Sequence, residues 1–592
     1  MPQAVPTAPA AHKSAWSPLA IPLFRALWLA TVVSNIGTWA QEAGGPWLMK
    51  LLKNGDPKWV ALVAVAENVP IFLLTIIAGV LADVVDRRKL LIWTQLWMLA
   101  ASGALGILTL LGMVTAGWLL FFWAVLGVGI AISGPPFQAI VPELVAPADM
   151  PLAVALNSVA LNVARAVGPA IGVAVMILAG GGVRGSGAAF LLNAGSFLGV
   201  AYVLYRWNRP RQAVTAHAEQ FVAAFRLGFR FTRHSPPMLA ILVRVAAFIL
   251  CAVAMWAQLP IISDRLGMGE GGYGILMACL GAGAVVGVVM MPRIQRQMSI
   301  DAMVAACTVC FAAGLMLLGV LRVPALAFVL MLFLGFNWVI IPTNFNVATQ
   351  RSVPNWVKGR ALAMYMTTLF GSWALGSAIW GAVAKHSSIS TALLLAGILM
   401  ITGLVVFSRF RLTMALGSDF TPAFAATHLP PARTVILLPS GYPEYHVTVQ
   451  WPANKGLTAH THEIRELRRQ RLRNGASSWK FTREESPTAQ WAETFLFRTE
   501  AEFAQYHSRT TKADLQLHES IQNYGKLSIP KALTPAGPHP AAVWLSDQFY
   551  WCADRALEEV ENMINRFESQ PEAASKPQVH DSLSRYSGRG QG

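Results

Sequence analysis

Twelve apolar runs, each long enough to cross a lipid bilayer, fill the first 410 residues of this chain. A spanning helix needs about 20 mostly apolar residues. The runs fall near 24–49, 59–82, 90–113, 117–138, 152–179, 187–207, 238–263, 273–291, 301–321, 324–347, 360–384 and 389–409. Proline and glycine inside them (Pro70, Pro169, Gly283) are compatible with membrane helices, because neighbouring helices satisfy the freed backbone groups. Charge divides the chain at the same place. The first 410 residues hold 26 Lys/Arg and 11 Asp/Glu, and the last 182 hold 20 and 19. The first part has membrane composition and the second soluble composition, which excludes a wholly soluble enzyme, a disordered chain and a fibrous one. Of the net charge of +16, +15 comes from the first part, between apolar runs, where it suits membrane topology better than nucleic-acid binding.

Lys/Arg placement sets the expected orientation. Loops on the side of both termini hold 17 basic residues, among them Arg87, Arg88, Lys89, Arg226, Arg230 and Arg233. The opposite loops hold 7, among them Lys50, Arg184 and Lys385. Both termini are therefore expected in the cytoplasm, with the chain multi-pass in the cell (inner) membrane. Residues 1–22 lack the compact apolar core of a cleavable signal and read as a cytoplasmic tail. The loop 208–237 splits the spans six and six, into bundles 23–207 and 238–410. Its Phe221, Phe225, Phe229 and Phe231 alternate with arginines, which predicts a basic amphipathic linker helix on the inner leaflet. Val141-Pro142-Glu143 and Val353-Pro354-Asn355 occupy corresponding places before spans five and eleven, a weak internal repeat.

Beyond 410 the texture changes. Residues 411–444 read as a linker, 445–568 as a cytoplasmic α+β domain and 569–592 as a disordered tail. Tyr445–Trp451, Ser478–Arg483, Trp491–Arg498 and Ala541–Leu545 read as strands; Thr458–Arg473 and Ala501–Tyr524 read as helices. That order, β-α-β-β-α-β, predicts a ferredoxin-like fold, with an acidic helix at Leu557–Phe567.

The sharpest motif lies between spans two and three: Gly79-Val80-Leu81-Ala82-Asp83-Val84-Val85-Asp86-Arg87-Arg88-Lys89. Topology alone needs only the positive charges, not an aspartate at the helix end with a glycine one turn before it. The string resembles the cytoplasmic loop motif of the major facilitator superfamily, and Asp86 in place of the usual glycine resembles the branch of the enterobactin exporter and macrolide efflux pumps. Leu27-Trp28-Leu29, Ser34-Asn35-Ile36-Gly37, Ala155-Leu156-Asn157-Ser158 and Gly359-Arg360 add to the resemblance, which covers roughly residues 20–410. It implies an all-α membrane protein of twelve helices in two six-helix bundles, alternating access around a central cavity, and proton-coupled export. In that fold spans two and eleven face each other, so Asp83 is expected against the positive amide end of span eleven, and Arg87 against Glu143 or Asp149.

Gly168-Pro169-x-x-Gly172 in span five resembles the core of an antiporter motif, with a bend at Pro169 and with Gly281, Gly283 and Gly287 expected opposite in span eight. Ala160 and Ala164 stand near where the full motif has further glycines, and ordinary small-residue packing explains the rest equally well. Ionisable residues inside spans point to function by default. Glu42, Glu67 and Arg165 are the proton-coupling candidates, with Arg165 expected to pair with one of the glutamates or to bond backbone carbonyls; Arg244 is near enough to its helix end to snorkel. Asn35, Gln41, Asn157, Asn337 and Asn344 are the substrate-cavity candidates, helix–helix hydrogen bonding being the alternative.

Gly267-x-Gly269-x-x-Gly272 has no preceding strand, Cys307-x-x-Cys310 sits in an apolar run, and His460-x-His462 is too small a set, so no cofactor or metal is expected. The tail resembles the small α+β-barrel family of antibiotic-biosynthesis monooxygenases at Val447-Thr448-Val449, Leu467–Arg471, Glu493-Thr494-Phe495 and His507. That family dimerises through sheet edges, which implies a homodimer. The expected function is secondary active export of small amphipathic molecules, of drug or siderophore type, by proton antiport. The alternative is a membrane-anchored enzyme or ligand sensor that uses the tail. The expected partners are a small-molecule substrate, protons and the lipid bilayer.

Overall fold

The computed structural model describes residues 16–146, 149–207, 228–409, 412, 445–451, 461–483, 491–497, 506, 509–514 and 516. The expected tail 1–15, most of the basic linker, residues 413–444, most of the second tail helix, the strand at 541–545 and everything after it lie outside them.

Twelve long helices follow in order: α1 (Pro22–Leu52), α2 (Pro57–Val84), α3 (Arg87–Leu110), α4 (Ala116–Leu144), α5 (Met150–Leu178), α6 (Gly182–Arg206), α7 (Pro236–Arg265), α8 (Gly269–Gln295), α9 (Ile300–Val320), α10 (Pro324–Arg351), α11 (Lys358–His386) and α12 (Ile389–Val406). Eleven of them, α2 to α12, contain a stretch long and apolar enough to cross a membrane. The first helix is as long, but Ser34, Asn35, Gln41, Glu42 and Lys50 dilute its apolar character. Local chemistry explains where the helices start. Proline, whose missing N–H costs nothing in the first turn, opens α1, α2, α7 and α10. Asp56, Asp86, Thr115, Ser299 and Ser388 accept backbone N–H groups at the starts of α2, α3, α4, α9 and α12.

Helices α1–α6 pack as one group and α7–α12 as another; α2 lies along α11, and α5 along α8, where the groups meet. Among the described residues the second group has one continuous core, from Met238 to Met400, which also takes in Ala43, Trp47, Val173 and Met176 of the first. The core of the first group is divided into several smaller clusters. One expectation is corrected here. Gly283 and Gly287 of α8 meet α10, not α5: a Cβ on Gly283 would strike the Leu332 carbonyl, and one on Gly335 would strike the Leu280 carbonyl. This reciprocal notch lets two backbones touch, which no larger residue permits. The α5 contact with α8 falls earlier, where Val173 fills the space above Gly274.

The described tail contains β1 (Tyr445–Trp451), α13 (Thr461–Arg473), β2 (Ser478–Arg483) and β3 (Trp491–Phe497). The sheet order is β1-β3-β2, with β3 antiparallel to both neighbours; Phe495 pairs with Val447 on one side and Trp479 on the other. Strands β1 and β2 are thus parallel and joined through α13, a split β-α-β unit. Phe495, Phe497, Tyr506 and Leu467 form its buried core. The tail docks on the membrane part at the side of the chain ends. Arg230 donates to the Ala476 carbonyl at 2.8 Å, and the Arg509 guanidinium lies 5.2 Å from the Trp356 ring, just before α11.

Candidate functional site

The interface between the two helix groups holds the chemistry. Odd helices of the first group run away from the end that carries the termini, so each group has a terminal end and a far end. At the far end the groups are clasped. The Lys50 ammonium lies 2.5 Å from Asp264 and 3.6 Å over the Trp47 ring. Lys385 reaches Asp56 at 3.0 Å. The Gly182 amide donates to Glu270 at 2.8 Å. Beneath these, Tyr273 of α8 stacks on Trp47 of α1, with centroids 5.4 Å apart, and donates to the Ala43 carbonyl at 3.3 Å.

Glu42 and Glu67 come next. They stand on consecutive helices, each ten residues from the far-end terminus of its helix, and their carboxyl groups meet within hydrogen-bonding reach. Glu42 lies close to Tyr273 across the bundle interface.

Arg165 does not join them. It is the sixteenth of the 29 residues of α5, and its guanidinium lies 5.3 Å from the Trp39 ring of α1. Its other neighbour is the Tyr365 hydroxyl of α11. Its Nε is buried with no hydrogen-bond partner. The expected pairing with Glu42 or Glu67 is thus replaced by stacking, because the two glutamates face each other. Gly168 and Gly172 bring α5 onto α1 beside it: Cβ atoms there would strike Trp39 and the Ala40 backbone. Pro169, between them, is buried inside the helix.

The other expected residues divide by environment. Gln41 is buried and accepts from Ser102 at 2.5 Å and Asn193 at 2.8 Å, holding α1, α3 and α6 together. Asn337 donates to the Phe333 carbonyl at 2.8 Å. Asn344 donates to Ile340 at 2.7 Å and accepts from Gln295 at 3.1 Å. These three amides are engaged in hydrogen bonds within or between helices, while Asn35 and Asn157 are half-buried. In the loop motif, Gly79 and Asp83 lie in the last turns of α2, and the Asp83 side chain is outside the described residues. Asp86 caps α3 by accepting from the Lys89 amide at 3.0 Å. Arg87 meets Glu143 at 3.1 Å, and Arg88 donates to the Leu204 and Tyr205 carbonyls that end α6, at 2.8 and 2.7 Å. Arg244 is buried and meets Asp301 at 2.6 Å.

Two groupings had no signal in the sequence. The clasp joins residues from 88 to 329 positions apart. A cluster of three tryptophans in the second group likewise joins residues far apart in the chain: Trp338 lies 5.7 Å from Trp256 and 5.6 Å from Trp373, with Trp256 and Trp373 6.3 Å apart.

A helical membrane fold with two six-helix groups and polar residues at their interface defines a transporter of the major facilitator type. The family model described as transmembrane secretion effector matches residues 13–533, and this chain belongs to that family, within the major facilitator superfamily. The match runs past the membrane helices through the described tail. The chain is 25% identical over 408 residues to the multidrug efflux pump Tap of Mycolicibacterium fortuitum, covering 67% of this chain and 96% of that protein. It is 24% identical over 375 residues to a staphyloferrin A transporter of Staphylococcus aureus (63% and 92%) and 23% identical over 408 residues to the enterobactin exporter EntS of Escherichia coli (66% and 94%). Among solved structures, a D-xylose–proton symporter matches with a TM-score of 0.53 at 13% identity, over 65% of this chain and 97% of that one. A bacterial homologue of the lysosomal transporter Spinster, inward-facing and occupied, matches at 0.52 and 14%, over 70% and 99%. These likenesses show the fold. The chain is a multi-pass membrane transporter whose relatives export siderophores or drugs.

Proposed function

We propose that this protein is a secondary active exporter of small amphipathic molecules, working by alternating access as a proton antiporter, with Glu42 and Glu67 as the proton-handling pair. The observation that carries the proposal is the contact between their carboxyl groups inside the membrane part, beside the Tyr273 contact that joins the two groups. Gain or loss of a proton there changes charge where the bundles meet. The names of the relatives support export.

All twelve helices, α1 included, cross the inner membrane, with both termini in the cytoplasm; the excess of basic residues on the terminal side supports this. The clasped far end is then the outer gate. Asp83 closes the inner side against the start of α11 when the outer gate opens, and Asn35 and Asn157 line the cavity. The tail completes a ferredoxin-like domain of the monooxygenase-like type and pairs with a second copy. Its split β-α-β order supports the fold. A sensing role for the tail has one observation in its favour: Arg509 covers Trp356 at the turn that leads into α11.

The test uses inverted membrane vesicles carrying the protein. Fluorescent drugs and siderophores should accumulate when a pH gradient is imposed and not when it is collapsed. Accumulation that ignores the gradient would remove proton antiport, and no movement of any compound would remove export.

A further inference from the structure

We infer that the cavity holds its substrate at two points: an anionic group on Arg165, and a flat apolar body on the box of Trp256, Trp338 and Trp373. The transported molecule is then an amphiphilic anion. The inference deepens the export reading but concerns binding, which can be measured without transport.

Arg165 carries the first half. A guanidinium is charged at any physiological pH, and burying one is expensive unless it is paired. This one sits at mid-helix with no carboxylate beside it among the described residues. One face is covered by Trp39, and its buried Nε has no hydrogen-bond partner. The Tyr365 hydroxyl, the neighbour across the interface, already donates to the Pro342 carbonyl at 3.1 Å. What remains is an unpaired N–H edge on a half-buried side chain. Carboxylate, phenolate or sulfonate oxygens fit that edge, with two parallel hydrogen bonds.

The tryptophans carry the second half. Arg165, Trp39 and Trp373 each lie thirteen residues before the far-end terminus of their helices, and Trp338 lies fourteen from the far-end start of α10. Arg165, Trp338 and Trp373 are therefore at similar depths on the two groups that face each other, with Trp256 nine residues from the far end of α7. Trp256 and Trp373 are half-buried, and the Trp256 indole N–H is buried with no acceptor. Trp338, itself buried, meets Trp256 and Trp373 edge to face, and the half-buried Trp256 and Trp373 offer an apolar wall. A molecule with an anionic end and an aromatic or fused-ring body fills both halves at once, and contacts both bundles in doing so.

The test uses the full-length protein in lipid nanodiscs and two probes that differ only in charge, dansylglycine and dansylglycinamide. Energy transfer from tryptophan to dansyl reports binding. Dansylglycine should bind at least tenfold more tightly than the amide. Arg165→Gln should bring the two probes to the same affinity, and Arg165→Lys should keep a preference for the carboxylate. Trp373→Ala should weaken both probes by a similar factor. Equal affinity of the two probes for the wild-type protein would overturn the inference. So would an unchanged ratio in Arg165→Gln. If that variant does not fold, the wild-type ratio and its retention in Arg165→Lys decide the matter. Failure of the export reading looks different: the carboxylate preference stays intact, and no gradient moves the probe in vesicles.

Discussion

The two helix groups share one architecture and use it differently. The first places Glu42, Glu67 and Arg165 within its helices, and its core is divided among several clusters. The second places no Asp, Glu, Lys, Arg or His at mid-helix among the described residues, has one continuous core, and holds a cluster of three tryptophans. A charge inside a membrane costs several kcal/mol or more, so it persists where it has a task. On the proposed function, the first group handles protons and the second supplies a rigid apolar wall. Substitutions in the first should alter coupling, and those in the second should alter stability or affinity.

The largest effect is expected in the second group. Gly335→Val drives a side chain into the Leu280 backbone. Overpacking of this kind costs about 3 kcal/mol or more, so the purified variant should lose its monodisperse peak or melt far below wild type. Gly134→Ala, whose Cβ would meet nothing within 4 Å, should be silent. Equal behaviour of the two would break the picture of a backbone notch.

A smaller effect concerns the contact between membrane part and tail. Burial, with Arg233, Arg468 and Arg230 nearby, pushes the His234 imidazole down to about 4 from 6.5. The unfolded or undocked chain then binds the extra proton between these values. The His234 contribution is fully present above pH 6.5 and is lost as the pH falls toward 4, amounting to about 2 kcal/mol at pH 5. Limited proteolysis should release the tail faster at pH 5 than at pH 7.5, and His234→Gln should flatten that difference. Tail release independent of pH in the wild type would contradict the docked position of His234.

Gln41→Ala tests whether polar residues of the first group also serve packing. It leaves the buried Asn193 amide without its acceptor, while the Ser102 hydroxyl keeps the Phe190 carbonyl, at about 1.5 kcal/mol. Melting temperature should fall, with dansylglycine affinity unchanged. A loss of affinity without a loss of stability would return Gln41 to the cavity. The smallest effect belongs to the clasp. Asp264 is 43% exposed, so the pair with Lys50 is worth at most about 1 kcal/mol. Lys50→Met should shift the equilibrium toward an open far end by about fivefold, seen as a longer-distance population between spin labels at Lys53 and Arg322. No change would leave Tyr273 and Trp47 as the gate.

How much of this could be read from the sequence depends on range. Apolar runs report helices directly, and eleven of the twelve are long and apolar enough to cross a membrane; α1 falls short because polar residues dilute its apolar character. The β-α-β-β order of the tail was legible for the same reason, since period and turn residues act within a few positions. The role of Asp86 as a cap was hidden by the motif around it, although an aspartate before Arg87 is an ordinary helix start. Gly283 was assigned the wrong neighbour, because a glycine announces close approach without naming its partner. The clasp, the tryptophan box and the mutual contact of Glu42 and Glu67 depend on how whole helices face one another, which no local pattern records.

The most direct test of the division between the groups is a pair of assays on Glu67→Gln in proteoliposomes. In the first, a pH gradient drives net accumulation of dansylglycine. In the second, labelled probe exchanges with unlabelled probe across the membrane with no gradient. The account predicts that Glu67→Gln loses driven accumulation by at least tenfold and keeps exchange near the wild-type rate. Driven accumulation at the wild-type level in that variant would contradict the assignment of proton coupling to the carboxyl pair.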